Sequence, residues 1–154
     1  MSIVTIARES PLGIDLTLLH ERHVADMHAE TPPGSIHMLP APALAAKGIE
    51  FFVMREHGRA IGMGALKRID GAHAEIKSMH VLAEERGRGL ARRMLDHLIA
   101  TARAAGHARL SLETGAQPIF AAARGLYAQA GFSECPPFEG YVDDPNSVFM
   151  TRAL

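Results

Sequence analysis

The sequence predicts an α/β fold, a mixed and mostly antiparallel twisted sheet flanked by helices, in the order β-α-α-β-β-β-α-β-α-β-β. Three observations predict it. Between residues 49 and 81, β-rich runs are separated by the short turns His57-Gly58-Arg59 and Asp70-Gly71, which makes them successive antiparallel strands. After a glycine-bearing turn, Leu90, Met94 and Leu98 recur every four residues, the mark of a helix with one apolar stripe. Gly106 closes that helix and another β-rich run follows, so a helical crossover links two parallel strands.

Taken in order, Ile3, Thr5 and Ala7 alternate with Val4, Ile6 and Arg8 as a first strand ending before Pro11. Asp15 reads as a helix N-cap, and Leu16, Leu19, His23 and Met27 continue at helical spacing, which predicts a helix over 16–29. Thr31-Pro-Pro-Gly34 stops it, because proline lacks the amide donor and restricts the residue before it. A second short helix is predicted over 41–47, closed by Gly48. Strands follow at 49–55, 60–69 and 74–81, then the crossover helix, a strand at 108–113, a helix at 118–130 closed by Gly131, and two last strands at 132–135 and 147–152.

At 154 residues the chain can bury a core without disulfides or metal, and no repeat or linker divides it, so residues 1–154 read as one domain. A net charge of −1 gives no basic field and hence no expectation of nucleic acid. Cys135, the one cysteine, excludes an internal disulfide and suits a reducing compartment. The stretch 2–14 is broken by Arg8, Glu9 and Pro11 and does not read as a leader, and Lys47 and Glu50 interrupt the apolar residues around Ile49 far short of a membrane span. The expectation is a soluble, cytoplasmic protein with no membrane partner.

The turn at 86–91 carries the chemistry. A helix that starts after it exposes backbone N–H groups with no intrahelical acceptor, and its dipole attracts anions. Arg86, Arg88, Arg92 and Arg93 add positive charge, so the expected ligand is a nucleotide or a phosphorylated cofactor. The chain has no Gly-Lys-Ser/Thr, which rules out a P-loop, and Arg92 stands where a dinucleotide fingerprint needs its third glycine. What remains is Arg-x-x-Gly-x-Ala at 86–91 behind a strand reading Glu75-Ile-x-x-Met79-x-Val81.

That strand, loop and helix resemble the acetyl-CoA signature of the Gcn5-related N-acetyltransferases, and Leu126-Tyr127 followed by Gly131-Phe132 resembles a second motif of the same family. The resemblance covers residues 74–132 and implies the family's acyl-CoA N-acyltransferase fold, with acetyl-CoA as co-substrate. It implies that Arg86, Gly87, Arg88, Gly89, Leu90 and Ala91 hold the pyrophosphate, where glycines allow close backbone approach. It further implies that the preceding strand splays from its neighbour and that the main chain of Met79, His80 and Val81 holds the pantetheine, with the Val81 N–H facing the acetyl oxygen. Phe120 stands where the family often has asparagine, and Gln117 lies nearby.

Acyl transfer from a thioester to an amine needs a held cofactor, a polarised carbonyl, a neutral amine and a proton for the departing thiolate. By resemblance, Tyr127 is the general acid; otherwise it is a packed amphipathic side chain. Glu75 holds a strand position that serves some family members as the base, and its alternative is a salt bridge with Lys77. His37, His80 and Glu30 are further bases. The acceptor side is expected from the first two helices with the loop 30–37, including Glu30 and His37, and from 136–146, including Tyr141. Acids and histidines there suit a cationic amine. His20-Glu-Arg-His23 falls one residue short of His-Glu-x-x-His and lacks a third ligand, so no metal is assigned. The expected activity is acetyl transfer to a small-molecule primary amine by direct attack. The alternatives are a protein or peptide acceptor and a CoA-binding domain without catalysis. A homodimer is compatible with the family, but no sequence feature requires one.

Overall fold

The computed structural model describes residues 3–154, so Ser2, the first residue of the stretch read for a leader, lies outside them. Among the described residues seven strands form one sheet: β1 (Val4–Arg8), β2 (Ile49–Glu56), β3 (Arg59–Arg68), β4 (His73–Val81), β5 (Arg109–Gly115), β6 (Ser133–Glu134) and β7 (Ser147–Ala153). Their spatial order is β1-β2-β3-β4-β5-β7-β6. The helices are α1 (Thr17–Glu30), α2 (Leu90–Ala104) and α3 (Ala121–Gln129). Every pairing is antiparallel except β4 with β5, which α2 connects as the crossover. The sheet is therefore mixed and mostly antiparallel, as predicted.

Strand alternation gives the sheet two buried faces. Phe52 and Met54 of β2 meet the stripe of α2, in which Leu90, Met94, Leu95, Leu98, Ile99 and Ala102 are buried, and α3 adds Tyr127 to that layer. Phe51 and Val53 point the other way, onto Leu16, Leu19 and Leu44. Gly64 lets α2 lie close on β3: a Cβ there would stand 3.0 Å from Met94 Cγ and 3.2 Å from Leu98 Cδ1. No helix among the described residues is long and apolar enough to cross a membrane.

Four boundaries differ from expectation, each for a local reason. Asp15 does not cap α1: Leu16 holds the cap position without a side-chain bond, after a 3-10 turn at Ile14–Leu16. The Asp15 carboxylate instead accepts a 2.6 Å bond from Arg55, whose guanidinium also holds Glu9. The helix expected over 41–47 is reduced to a 3-10 turn, Ala43–Ala45, which ends where Ala46 turns extended at ψ of 154°. The segment 118–130 opens as a 3-10 turn, Pro118–Phe120, before α3 begins. Finally, the strand expected over 132–135 pairs with β7 at two residues.

Two irregularities in β4 position the site. Its pairing with β5 covers His73, Ala74 and Glu75 opposite Arg109, Leu110 and Ser111, and from Ile76 onward the two strands part. On the β3 side the register slips between Met63↔His80 and Ala65↔Lys77, which places one extra residue on β4. Ser78 takes up the slip with φ of 52°.

Candidate active site

The parting of β4 from β5 opens a cleft of about 430 Å³ that runs from the start of α2, past the end of β4, to Tyr127 of α3. The bulge decides what faces it. Ala74 and Ile76 belong to the α2 layer, and strict alternation would next bring Ser78 and His80 there. The extra residue shifts the phase, so Met79 and Val81 join the α2 layer and His80 points toward α1.

The main chain at the end of β4 is aimed at the gap. The Leu82 N–H donates to the Ile61 carbonyl at 3.0 Å, a bond that flanks the Gly62↔Val81 pair. In an antiparallel ladder this makes Gly62 and Val81 a non-hydrogen-bonded pair, so the Val81 N–H turns away from β3, toward the side where β5 has left. The Val81 carbonyl accepts from Arg86 Nε at 3.1 Å.

At the mouth, Gly87 and Gly89 have φ of 81° and 74°, values that favour glycine, and a Cβ on either would meet nothing within 4 Å. Gly89 precedes α2, and the first helical bond is Arg93 N–H to Gly89 O. The amides before it are the open ones of a helix start. Arg86, Gly87, Gly89, Leu90 and Ala91 line the cleft. Of the four arginines, Arg86 and Arg92 reach the cleft, whereas Arg88 is held by Glu56 at 2.6 Å and by Glu85 at 2.5 Å, and Arg93 donates to the Val4 carbonyl. Arg86 also pairs with Asp26 of α1 at 3.1 Å.

Tyr127 lies in the wall, 7 % exposed, with its phenol pushed up to about 12 by burial and then by the charge of Glu113. Phe120 also lines the cleft, and its ring lies over Gly115, where a Cβ would stand 2.2 Å from it.

Glu75 is 1 % exposed and stands behind the cleft wall. It accepts from the Tyr141 hydroxyl at 2.5 Å and pairs with Lys77 Nζ at 3.3 Å, the salt bridge that its sequence neighbourhood allowed. Lys77 also donates to the Tyr141 oxygen at 2.7 Å and to the His37 carbonyl at 3.1 Å, and the His37 ring meets Tyr141 edge-on at 5.1 Å. The loop before β7 is thus bound to β4 and to the loop after α1. His37 lines the cleft, Tyr141 supports it from behind, and Glu30 stays exposed at the end of α1, outside the lining.

The structure adds residues that the sequence did not single out. Glu113 of β5 lines the cleft, and burial pushes its carboxyl above the ordinary range. Leu110 and Leu112 point into the α2 layer, so alternation sends Ser111 and Glu113 to the face of Glu75. That alternation was readable; the opening beside it was not. Asp26 of α1 also reaches the cleft, as does His23, read in the sequence only against a metal motif, whose ring meets that of His80 at 5.3 Å. His20 bonds the Pro11 carbonyl at 2.9 Å instead of joining a ligand set.

The family model described as "Acetyltransferase (GNAT) family" matches residues 18–132. The chain is 43% identical over 142 residues to the uncharacterized N-acetyltransferase YsnE of Bacillus subtilis, covering 92% of this chain and 94% of that protein. It is 40% identical to an IAA acetyltransferase of Azospirillum brasilense over the full length of both. Among solved structures, a GNAT family acetyltransferase from Elizabethkingia anophelis with acetyl-CoA bound superposes with a TM-score of 0.64 at 19% identity, covering 98% of each chain.

Proposed function

The chain belongs to the GNAT acetyltransferase family and is an acyltransferase, and from that premise we infer that it moves an acetyl group from acetyl-CoA to the primary amine of a small molecule by direct attack. The observation that carries this reading is the Val81 N–H, turned out of the sheet into the gap between β4 and β5. The cleft suits the donor on three counts: a glycine-lined helix start for a diphosphate, strand edges for an amide-bearing arm, and a phenol at the far end. We take residues 1–154 as one catalytic domain working in the reducing cytoplasm, where a lone cysteine stays a thiol.

When bound, acetyl-CoA supplies an activated thioester. The amides of Gly87, Gly89, Leu90 and Ala91 hold its diphosphate, with Arg86 beside them, and the main chain of Met79, His80 and Val81 holds the arm. The Val81 N–H donates to the carbonyl oxygen as negative charge builds there, at no reorganisation cost because the strand already fixes it. An alkylamine with a pKa of about 10 must lose a proton before it attacks. Glu113 takes that proton, since its carboxylate lies in the cleft wall and its raised pKa makes it a better acceptor than a solvated glutamate. Glu75 acts from behind, fixing Tyr141 and Lys77.

Tyr127 remains protonated at neutral pH and donates to the sulfur. Against a reference thiol near 8.5, complete transfer from a phenol at about 12 would be uphill by roughly 5 kcal/mol. The burial that raises the phenol raises a departing thiolate as well, which narrows the gap. Cys135 is outside the cleft lining with its thiol pushed up by burial, which favours direct attack over a cysteine-linked acyl group.

The test is thiol release from acetyl-CoA with an amine panel. Tyr127→Phe is expected to lower kcat by about 100-fold or more while calorimetry still detects acetyl-CoA binding. Full turnover in that variant removes the acid role, and binding without release for every amine leaves a binding domain in place of an enzyme.

A further inference from the structure

The acceptor end of the cleft has an uneven set of charges. Four charged side chains line it near α1 and the parted strands: Asp26, Lys77, Arg86 and Glu113. Asp26 and Arg86 pair with each other at 3.1 Å. The ammonium of Lys77 donates to the His37 carbonyl at 3.1 Å and to the Tyr141 oxygen at 2.7 Å, and its charge is balanced by the buried carboxylate of Glu75 at 3.3 Å. Glu113 is left without an ion-pair partner among the described residues. A ligand entering this end meets one unbalanced negative charge and no uncommitted cation.

Beside these charges the wall carries apolar surface. Met27 of α1 and Met38 offer polarisable thioether surface beside the His37 ring. The two loops that bound this end are tied together, with Asn146 Nδ2 donating to Ser35 Oγ at 3.3 Å and Gln117 Nε2 donating to Asn146 Oδ1 at 3.1 Å. Met27, Met38 and His37 give this end an apolar wall for a compact body.

We propose that the acceptor is a small monoamine with an apolar or aromatic body and no carboxylate beside its amine, held by Glu113 through its ammonium and by Met27, Met38 and His37 through its body. An amino acid is rejected because its carboxylate finds every cation of the lining already in an ion pair and lies near Glu113. Desolvating a charge without a partner is what makes the discrimination large. This inference rests on the acetyl-transfer reading above.

The test compares 2-phenylethylamine with phenylalanine, which differ by the carboxylate, together with 1,4-diaminobutane and a lysine-containing peptide, by thiol release at saturating acetyl-CoA. The expected result is a kcat/KM for 2-phenylethylamine about 100-fold or more above the other three, and a loss of at least about tenfold for that amine in Glu113→Gln. Turnover of phenylalanine, the diamine or the peptide at an equal or higher kcat/KM overturns the acceptor class while leaving acetyl transfer intact. An unchanged kcat/KM in Glu113→Gln removes Glu113 as the counter-charge. Acetyl-CoA bound by calorimetry with no thiol released by any of the four overturns the acetyl-transfer reading, and this inference with it.

Discussion

His80 is 7 % exposed, with its ring against His23 and its Nδ1 3.8 Å from Asp26. Burial pushes both imidazoles down to about 4, and for His80 the pull of Asp26 is opposed by Arg86 and Arg22. Each is neutral in the folded protein and takes up a proton at about 6.5 once unfolded. The unfolded state therefore binds more protons below that pH, and stability should be full above about 6.5, fall as pH drops and level off near 4. A depression from 6.5 to about 4 corresponds to roughly 3 kcal/mol for His80. Urea unfolding between pH 7 and 5, where most carboxylates are still ionised, is expected to show this decline, and His80→Gln should flatten it by close to one proton. A slope unchanged in that variant would mean that His80 is protonated in the folded state.

The bulge in β4 is an element-scale device with a sequence trace. Apolar side chains at 74 and 76 are followed by 79 and 81, a slip of one in a period of two, while Ser78 in a left-handed conformation gives no signal by its type. That slip explains how much was legible. Element order, the crossover, the stripe of α2 and the helix-start turn all follow from local periodicity and glycine placement, which neighbours in the chain decide. The Asp15 cap and the position of Glu113 depend on Arg55 and on where β5 leaves β4, and short windows do not contain those partners. Two substitutions test the device. Ser78→Gly removes a left-handed penalty of about 1–2 kcal/mol and a buried hydroxyl without a partner, against a backbone entropy cost of about 0.5–1 kcal/mol, so thermal unfolding should show a gain of up to about 1 kcal/mol. Deleting Ser78 removes the extra residue and makes Lys77 and Met79 neighbours, so strict alternation keeps Met79 and Val81 in the α2 layer and His80 toward α1, and the variant is expected to fold. A deletion variant that fails to fold would show that β4 needs the backbone at residue 78 itself and not only the phase it sets.

At the scale of the molecule, the sheet divides the labour between its two sides of the gap. The helix start and the end of β4 form one side, built from consecutive residues and fixed by backbone bonds. The acceptor side is assembled from α1, the loop after it, β4, β5 and the loop before β7, and its joint is the Tyr141 phenol between Lys77 and Glu75. Burial and then the Glu75 hydrogen bond hold that phenol far above the ordinary tyrosine range, so it stays a neutral bridge that accepts from Lys77 and donates to Glu75. Tyr141→Phe keeps the ring contacts with Phe138 and Phe149 but removes both hydrogen bonds and leaves two buried charges short of a partner. The expected cost is about 1–3 kcal/mol in denaturant unfolding. The two sides are separate in construction, so the KM for the amine should rise about tenfold or more while that for acetyl-CoA stays within a few-fold. Equal rises in both would mean that the phenol braces the gap as a whole, because loosening β4 at Glu75 and Lys77 would then reach Val81 along the strand.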